Sequence, residues 1–274
     1  MIGQVLINGA PSDGRIPVTD SSVLRGDGCF EVVRAYRGRP FALGDHIDRL
    51  ERSARAMEIR LPERHELAAW IEKVAAEQVD GAIRVVVTRG ASVPGMDDPS
   101  LVIVFGHRWD RSEEMARLLP MPAPWHAAGV HWALAGAKTI SYAPNLSATR
   151  AAQAQGFEDA LLVSRDDTIL EGPTFSVAWM VDDVLETPTL ELGILDSITR
   201  SHLLEIARRI GIQVSEGSWR LQRLDAATEM MAWSTIREVQ PVVMVGERRF
   251  PPGPITETLA VRFEEVVGLG TYGR

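Results

Sequence analysis

A charged stretch over residues 110–117 runs into Pro120, Pro122 and Pro124, and this break divides the chain into two parts of different texture. Closely spaced prolines remove backbone donors and resist regular structure, so the break favours two folding units over one continuous sheet. A length of 274 residues accommodates two modest domains. The boundaries expected are a small domain over 1–112, a linker over 113–120 and a large domain over 121–274.

The first part reads as α+β. Gln4 to Ile7 alternates like a strand before an Asn8-Gly9 turn, and Cys29 to Tyr36 reads as a strand ending in the Arg37-Gly38-Arg39-Pro40 turn. His46 to Glu58 has helical spacing, with Ile47, Leu50, Ala54 and Met57 on one face. Arg64 to Val79 is a second helix, and Ile83 to Thr88 and Leu101 to Phe105 are strands. The second part alternates strands and helices more regularly and reads as α/β. Ser141 to Ala154 is helical, and short strands cover Ala160 to Val163, Thr168 to Leu170, Ser176 to Val181 and Val184 to Glu186. Thr199 is placed as the cap of a helix reaching Ile210, with Leu203, Ile206, Ala207 and Ile210 inward. Strands over Glu229 to Ser234 and Val239 to Met244 complete the core.

Charge and composition exclude several classes. A net charge of −8 argues against nucleic acid or an anionic membrane as partner. No apolar run reaches the length of a membrane span. Met1 to Ala10 lacks the pattern of a secretory signal, and Cys29 is the single cysteine. A reducing cytoplasm is therefore the expected location.

Lys73 and Lys138 are the only lysines. Lys73 points off the Leu67, Ile71, Val74 stripe of its helix and should be solvated. Lys138 lies between apolar segments, so any amine chemistry through a lysine falls to it. Other segments carry chemistry only weakly when read alone. Asp196-Ser197-Ile198-Thr199-Arg200 delivers a helix N-terminus that either binds phosphate or is simply capped. Ser234-Thr235-Ile236-Arg237 is either a hydroxyl-rich anion loop or a polar hairpin. Glu171 ends a strand before Gly172-Pro173, as a partner for a protonated ring nitrogen or as a surface carboxylate. Arg49 lies beside its helix's apolar stripe, where its fork could reach a phosphate or solvent. Arg84 interrupts an apolar strand and needs an anion, either an internal carboxylate or a substrate's. Arg25-Gly26-Asp27-Gly28 is a pocket wall or a hairpin.

Three patterns carry nothing. The glycines of Gly268-Leu269-Gly270-Thr271-Tyr272-Gly273 have no helix after them to hold a pyrophosphate. His65-Glu66 lacks the second histidine of a zinc site, with Ala69 in its place, and no metal is expected. The Asp97-Asp98, Asp166-Asp167 and Asp182-Asp183 pairs read as solvated turns.

Taken in order, Arg49, Lys138, Glu171, Ile198-Thr199 and Thr235 resemble the class IV, fold type IV, pyridoxal phosphate enzymes. That family holds branched-chain and D-amino-acid aminotransferases and aminodeoxychorismate lyase. The similarity spans nearly the whole chain, through Arg25 to Glu31, His46 to Leu50, Val87 to Gly90, Thr187-Pro188, Gly193 to Arg200, and Ser234-Thr235 with Pro241-Val242. It implies two domains with the cofactor between them, an α+β small domain beside a larger α/β domain. It implies that Lys138 forms the Schiff base, Glu171 pairs with the pyridine nitrogen and Tyr142 bonds the phenolic oxygen. It also implies that Arg49, the amides of Ile198 and Thr199, and Thr235 hold the phosphate.

The expected activity is a ping-pong transfer of an amino group between an amino acid and a 2-oxo acid, in a homodimer. Phe30, Arg84 and Arg237 are the expected substrate neighbours. The alternative is 4-amino-4-deoxychorismate lysis with release of pyruvate on the same cradle, although Phe30-Glu31 differs from the threonine-bearing strand start of such lyases. A pyridoxal phosphate holder without turnover would be expected to lack Lys138 or Glu171, and both are present. The chain departs from the family at Ser176, usually asparagine, at Ala178, usually aromatic, and at Arg25, often tyrosine or phenylalanine. Residues 92–96 replace the Pro-Arg-x-His carboxylate trap of D-amino-acid enzymes, whereas Arg84 after an isoleucine is similar to the branched-chain enzymes.

Overall fold

The computed structural model describes residues 2–78, 80–91, 99–109 and 114–268, and these separate into two compact units. Residues 92–96, the Asp97-Asp98 pair and most of the C-terminal glycine pattern lie outside the described residues. The first unit comprises residues up to 109 together with Ala137–Tyr142, and the second comprises the rest.

In the first unit, strands β1 (Ile2–Ile7), β2 (Ala10–Ser12), β3 (Gly28–Tyr36), β4 (Arg39–Pro40), β5 (Asp80–Thr88) and β6 (Val102–Arg108) form one antiparallel sheet, ordered β2-β1-β6-β5-β3-β4. The short helix α1 (Ser21–Arg25) leads into β3. Helices α2 (Leu43–Ala56) and α3 (Arg64–Ala76) cover one face of the sheet. Side chains alternate across a strand, so Cys29, Glu31, Val33 and Ala35 turn to the helices while Phe30 and Val32 turn away. Ile47, Leu50 and Ala54 of α2 meet Leu67, Ile71 and Val74 of α3 above Ile83, Val85 and Val104. Lys73 is exposed, as its spacing requires.

The second unit is a mixed sheet of β7 (Ala116–Pro122), β8 (Asp159–Val163), β9 (Ser176–Val181), β10 (Val184–Pro188), β11 (Gln213–Gly217), β12 (Glu229–Ser234) and β13 (Glu238–Val245), with β14 (Arg248–Arg249) paired to β13. Its order is β11-β10-β9-β12-β13-β7-β8. Helix α4 (Ala143–Gln153) packs on β8, and α5 (Ile198–Arg209) and α6 (Pro254–Gly268) pack on β12. Among the described residues no helix is long and apolar enough to cross a membrane.

Four expectations are corrected. The proline-rich stretch expected as linker enters β7 at Ala116, an interior strand parallel to both β13 and β8. Its prolines are tolerated for a specific reason. The Leu118 carbonyl accepts from Gly246 on the β13 side, and the Ala123 amide donates to Val163 on the β8 side. By alternation the nitrogens of Pro120 and Pro122 face the β13 side, beyond Leu118, where β13 pairing has ended. The helix at Ile198 is capped by Ser197, whose hydroxyl accepts from the Arg200 amide at 3.3 Å, and not by Thr199. Ile210 is the C-cap and 39% exposed. Thr168 to Leu170 makes only isolated bridges, Thr168 to Arg220 and Ile169 to Val163.

Candidate active site

In the first unit the Ala137–Tyr142 segment lies against β3 like a short extra strand. The Phe30 amide donates to the Lys138 carbonyl at 3.0 Å and the Ile140 amide to Gly28 at 2.9 Å. Glycine is required at position 28 by the sheet itself, since an added Cβ would sit 2.4 Å from the Val87 carbonyl oxygen of β5. Lys138 is half-buried, its Nζ 4.4 Å above the Phe30 ring and 5.7 Å from the Tyr142 ring. The two rings meet edge to face at 5.2 Å, so the amine has two aromatic neighbours of its own unit.

The Lys138 amide donates to Ser53 Oγ on α2 at 3.0 Å. His46, Arg49 and Ser53 share one helix face, beside the apolar stripe. Glu31, 1% exposed on the helix side of β3, receives Arg49 through two bonds of 2.7 Å and meets His46 Nδ1 at 2.8 Å. Burial alone would raise the Glu31 carboxyl, but the charge and hydrogen bonds of Arg49, helped by His46, hold it well below the usual range. Burial lowers the His46 ring despite its carboxylate neighbour, so it stays neutral. His46 Nε2 has no hydrogen-bond partner among the described residues. Arg49 is therefore not a solvated arginine: its fork is fixed at 4% exposure before any ligand arrives. This network was missed because Glu31, His46 and Arg49 are informative only once strand and helix are paired.

Arg84 stands on the opposite face of this sheet, between Val32 and Phe105, half-buried. Of its two possible partners, no internal carboxylate is found among the described residues.

In the second unit Glu171 is held from two sides. His126 Nε2 lies 3.2 Å from its Oε1, and the Leu195 amide donates to Oε2 at 3.2 Å. His126 sits in the turn after β7, and its sequence context, between Trp125 and Ala127, carries no signal that would single it out. At α5 the amides of Ile198 and Thr199 occupy the first turn, where a helix leaves donors unpaired. Thr199 Oγ1, Ser176 Oγ and Trp233 Nε1 are buried without a partner among the described residues. Thr235 lies in the half-buried turn between β12 and β13, where Ser234 Oγ accepts the Arg237 amide at 3.0 Å. Unsatisfied amides beside an orphaned hydroxyl at a helix N-terminus suit an anion such as a phosphate. Arg237 is already occupied. It pairs with Asp159 at 2.7 Å, bonds Gln240 at 2.6 Å and lies over Phe175.

A family model for amino-transferase class IV matches residues 28–245. A bifunctional aminodeoxychorismate lyase / D-amino acid transaminase of Mycobacterium tuberculosis is 31% identical over 276 residues, 94% of each chain. A putative branched-chain-amino-acid aminotransferase of Methanocaldococcus jannaschii is 28% identical over 272 residues, 93% of this chain and 92% of that one. Among solved structures, a hypothetical aminotransferase from M. tuberculosis in its PLP-bound form superposes with a TM-score of 0.89 at 26% identity, covering 97% of this chain and 99% of that one. The chain belongs to the class IV aminotransferases, a family that includes both transaminases and lyases.

Proposed function

We propose that this enzyme moves an amino group between an amino acid and a 2-oxo acid, with pyridoxal 5'-phosphate held on Lys138. The observation that carries the reading is the Lys138 amine lying 4.4 Å over the Phe30 ring, on a segment tied to the helix that bears the fixed Arg49. When bound, the cofactor supplies a protonated ring that withdraws electrons as a substrate Cα–H bond breaks. The protein's own groups do the rest. Glu171 accepts from the ring N–H and keeps that proton in place. Once the substrate amine has taken its place on the cofactor, the freed Lys138 amine would take and return the Cα proton. Tyr142 bonds the phenolic oxygen. Arg49, the amides of Ile198 and Thr199, and Thr235 hold the phosphate, and the unsatisfied donors of α5 fit that group. Phe30 walls the substrate side and excludes water. Arg84, with no internal carboxylate among the described residues, takes a substrate carboxylate, whereas Arg237 serves Asp159.

Borohydride trapping with peptide mapping tests the reading: label on Lys138 supports it, and label on Lys73 or on neither lysine ends it. A half-reaction screen, adding single L- and D-amino acids and following the visible absorbance, identifies the donor. The same reading expects a cytoplasmic homodimer, checked by light scattering. A second reading is release of pyruvate from aminodeoxychorismate, supported by the name of the bifunctional M. tuberculosis relative. Pyruvate formation without amino transfer to any 2-oxo acid would select it.

A further inference from the structure

Glu171 is not positioned by its own strand end alone. The turn after β7 presses on its loop at two adjacent residues. Trp125 Nε1 donates to Asn145 Oδ1 at 3.0 Å, and Asn145 Nδ2 donates to the Pro173 carbonyl at 2.9 Å, two residues past Glu171. His126, next in the turn, faces Glu171 itself. Its other ring nitrogen, Nδ1, accepts the Ala128 amide at 3.3 Å. A ring nitrogen that accepts an N–H carries no proton in the neutral ring, so the proton sits on Nε2 and is donated to Glu171 Oε1. Ala128 delivers its amide from φ 47°, a left-handed conformation that strains a residue with a Cβ. Such strain persists only where surrounding contacts impose it. Here they do: Gly129 donates to Leu192 and Gly136 to Gly193, tying this loop to the segment that supplies the Leu195 amide.

We infer that His126 is a positioning residue. As the Nε2–H tautomer it acts with the Leu195 amide to hold the Glu171 carboxylate in one rotamer, with lone pairs left for one further N–H donor. This rests on the reading that the further donor is the cofactor's ring nitrogen. Two donors on two oxygens fix the carboxylate's orientation and leave its remaining lone pairs facing that further donor. The side chains of His126 and Glu171 are 9% and 14% exposed, so water competes little for either bond.

The test uses His126→Phe, His126→Gln and Glu171→Gln in the full-length protein. Pyridoxal phosphate affinity is measured by titrating the apo form, alongside kcat and KM for the best amino donor. Loss of a hydrogen bond to a charged group predicts that His126→Phe weakens cofactor binding and lowers kcat by about 10–100-fold, with KM for the donor unchanged. His126→Gln, which keeps a donor in reach, should recover most of the loss. Cofactor affinity and kcat unchanged in His126→Phe, while Glu171→Gln is impaired, would overturn the role of His126 alone. An unimpaired Glu171→Gln would instead remove the reading of Glu171 on which it rests. Should His126→Phe fail to fold, ¹⁵N spectra of the wild-type histidine rings decide: a proton on Nε2 of His126 supports the inference, and a proton on Nδ1 sinks it.

Discussion

Replacing Glu31 by glutamine changes no shape and removes one charge, at a site where three hydrogen bonds converge on two oxygens. One Arg49 bond to the remaining oxygen can survive. The new NH₂ group then confronts Arg49 Nη2–H, donor against donor, and the guanidinium is left buried at 4% exposure without its counter-charge. Breaking a buried pair by removing one partner costs about 3–5 kcal/mol. The thermal consequence depends on what melts as a unit. With an unfolding entropy near 2.1 cal/mol/K per residue, Tm falls by about 5–9 °C if all 274 residues unfold together. It falls by about 13–22 °C if the first unit, roughly 110 residues, melts alone. Differential scanning calorimetry of the apo form reads this directly and avoids stabilisation by bound cofactor. A Tm drop below about 2 °C would refute the reasoning, since it corresponds to about 1 kcal/mol or less, well short of the cost of a broken buried pair. A double variant, Glu31→Leu with Arg49→Met, should be less harmed than the single one, because it buries no unpaired charge.

Stability should also rise with pH across the histidine range. His46 stays neutral when folded because burial lowers its pKa, whereas the unfolded chain takes up a proton near pH 6.5. The unfolded state therefore binds more protons below that pH, and the fold should lose stability as the pH falls through that range. Denaturant melts of wild type against His46→Gln check this, the variant giving a flatter profile. Arg237→Ala should cost about 2–3 kcal/mol by stripping the buried Asp159 of its cation, yet leave the KM values for amino and oxo acids unchanged. A raised KM for every carboxylate substrate would return Arg237 to the substrate site. Gly28→Ala should destabilise by at least about 2 kcal/mol in denaturant melts, since the new Cβ would sit 2.4 Å from the Val87 carbonyl oxygen and must part β3 from β5.

What could be read in advance follows from how far each signal reaches along the chain. Strand alternation and helical stripes are local, so β3, β5, α2 and the interior faces of α5 emerge from spacing alone. The proline stretch misled because a proline's tolerance in a sheet depends on which neighbour has ended. That is decided by Gly246, more than a hundred residues away. Helix α6 went unforeseen for the same reason. Its first turn is capped by the carboxylate of Glu229 on β12, which accepts the Thr256 amide at 2.8 Å and the Ile255 amide at 3.2 Å. No local capping residue announces it, and Pro251-Pro252-Gly253 reads as loop.

The site divides along the same line. Lys138 stood out because lysine is nearly absent from the chain, and Glu171 because it ends a strand before a Gly-Pro turn. The groups that hold them, Ser53 for the Lys138 segment and His126 for Glu171, lie 85 and 45 residues away in sequence. A residue that makes chemistry is often recognisable by its type. A residue that aims it is recognisable only by what it touches. Ser53 and His126 are ordinary in type, and their contacts exist only after the β-strands have set the register. Phe30 belongs to both groups: its place in the strand was legible, but its position under the Lys138 amine required the Gly28–Ile140 pairing that brings the two segments together.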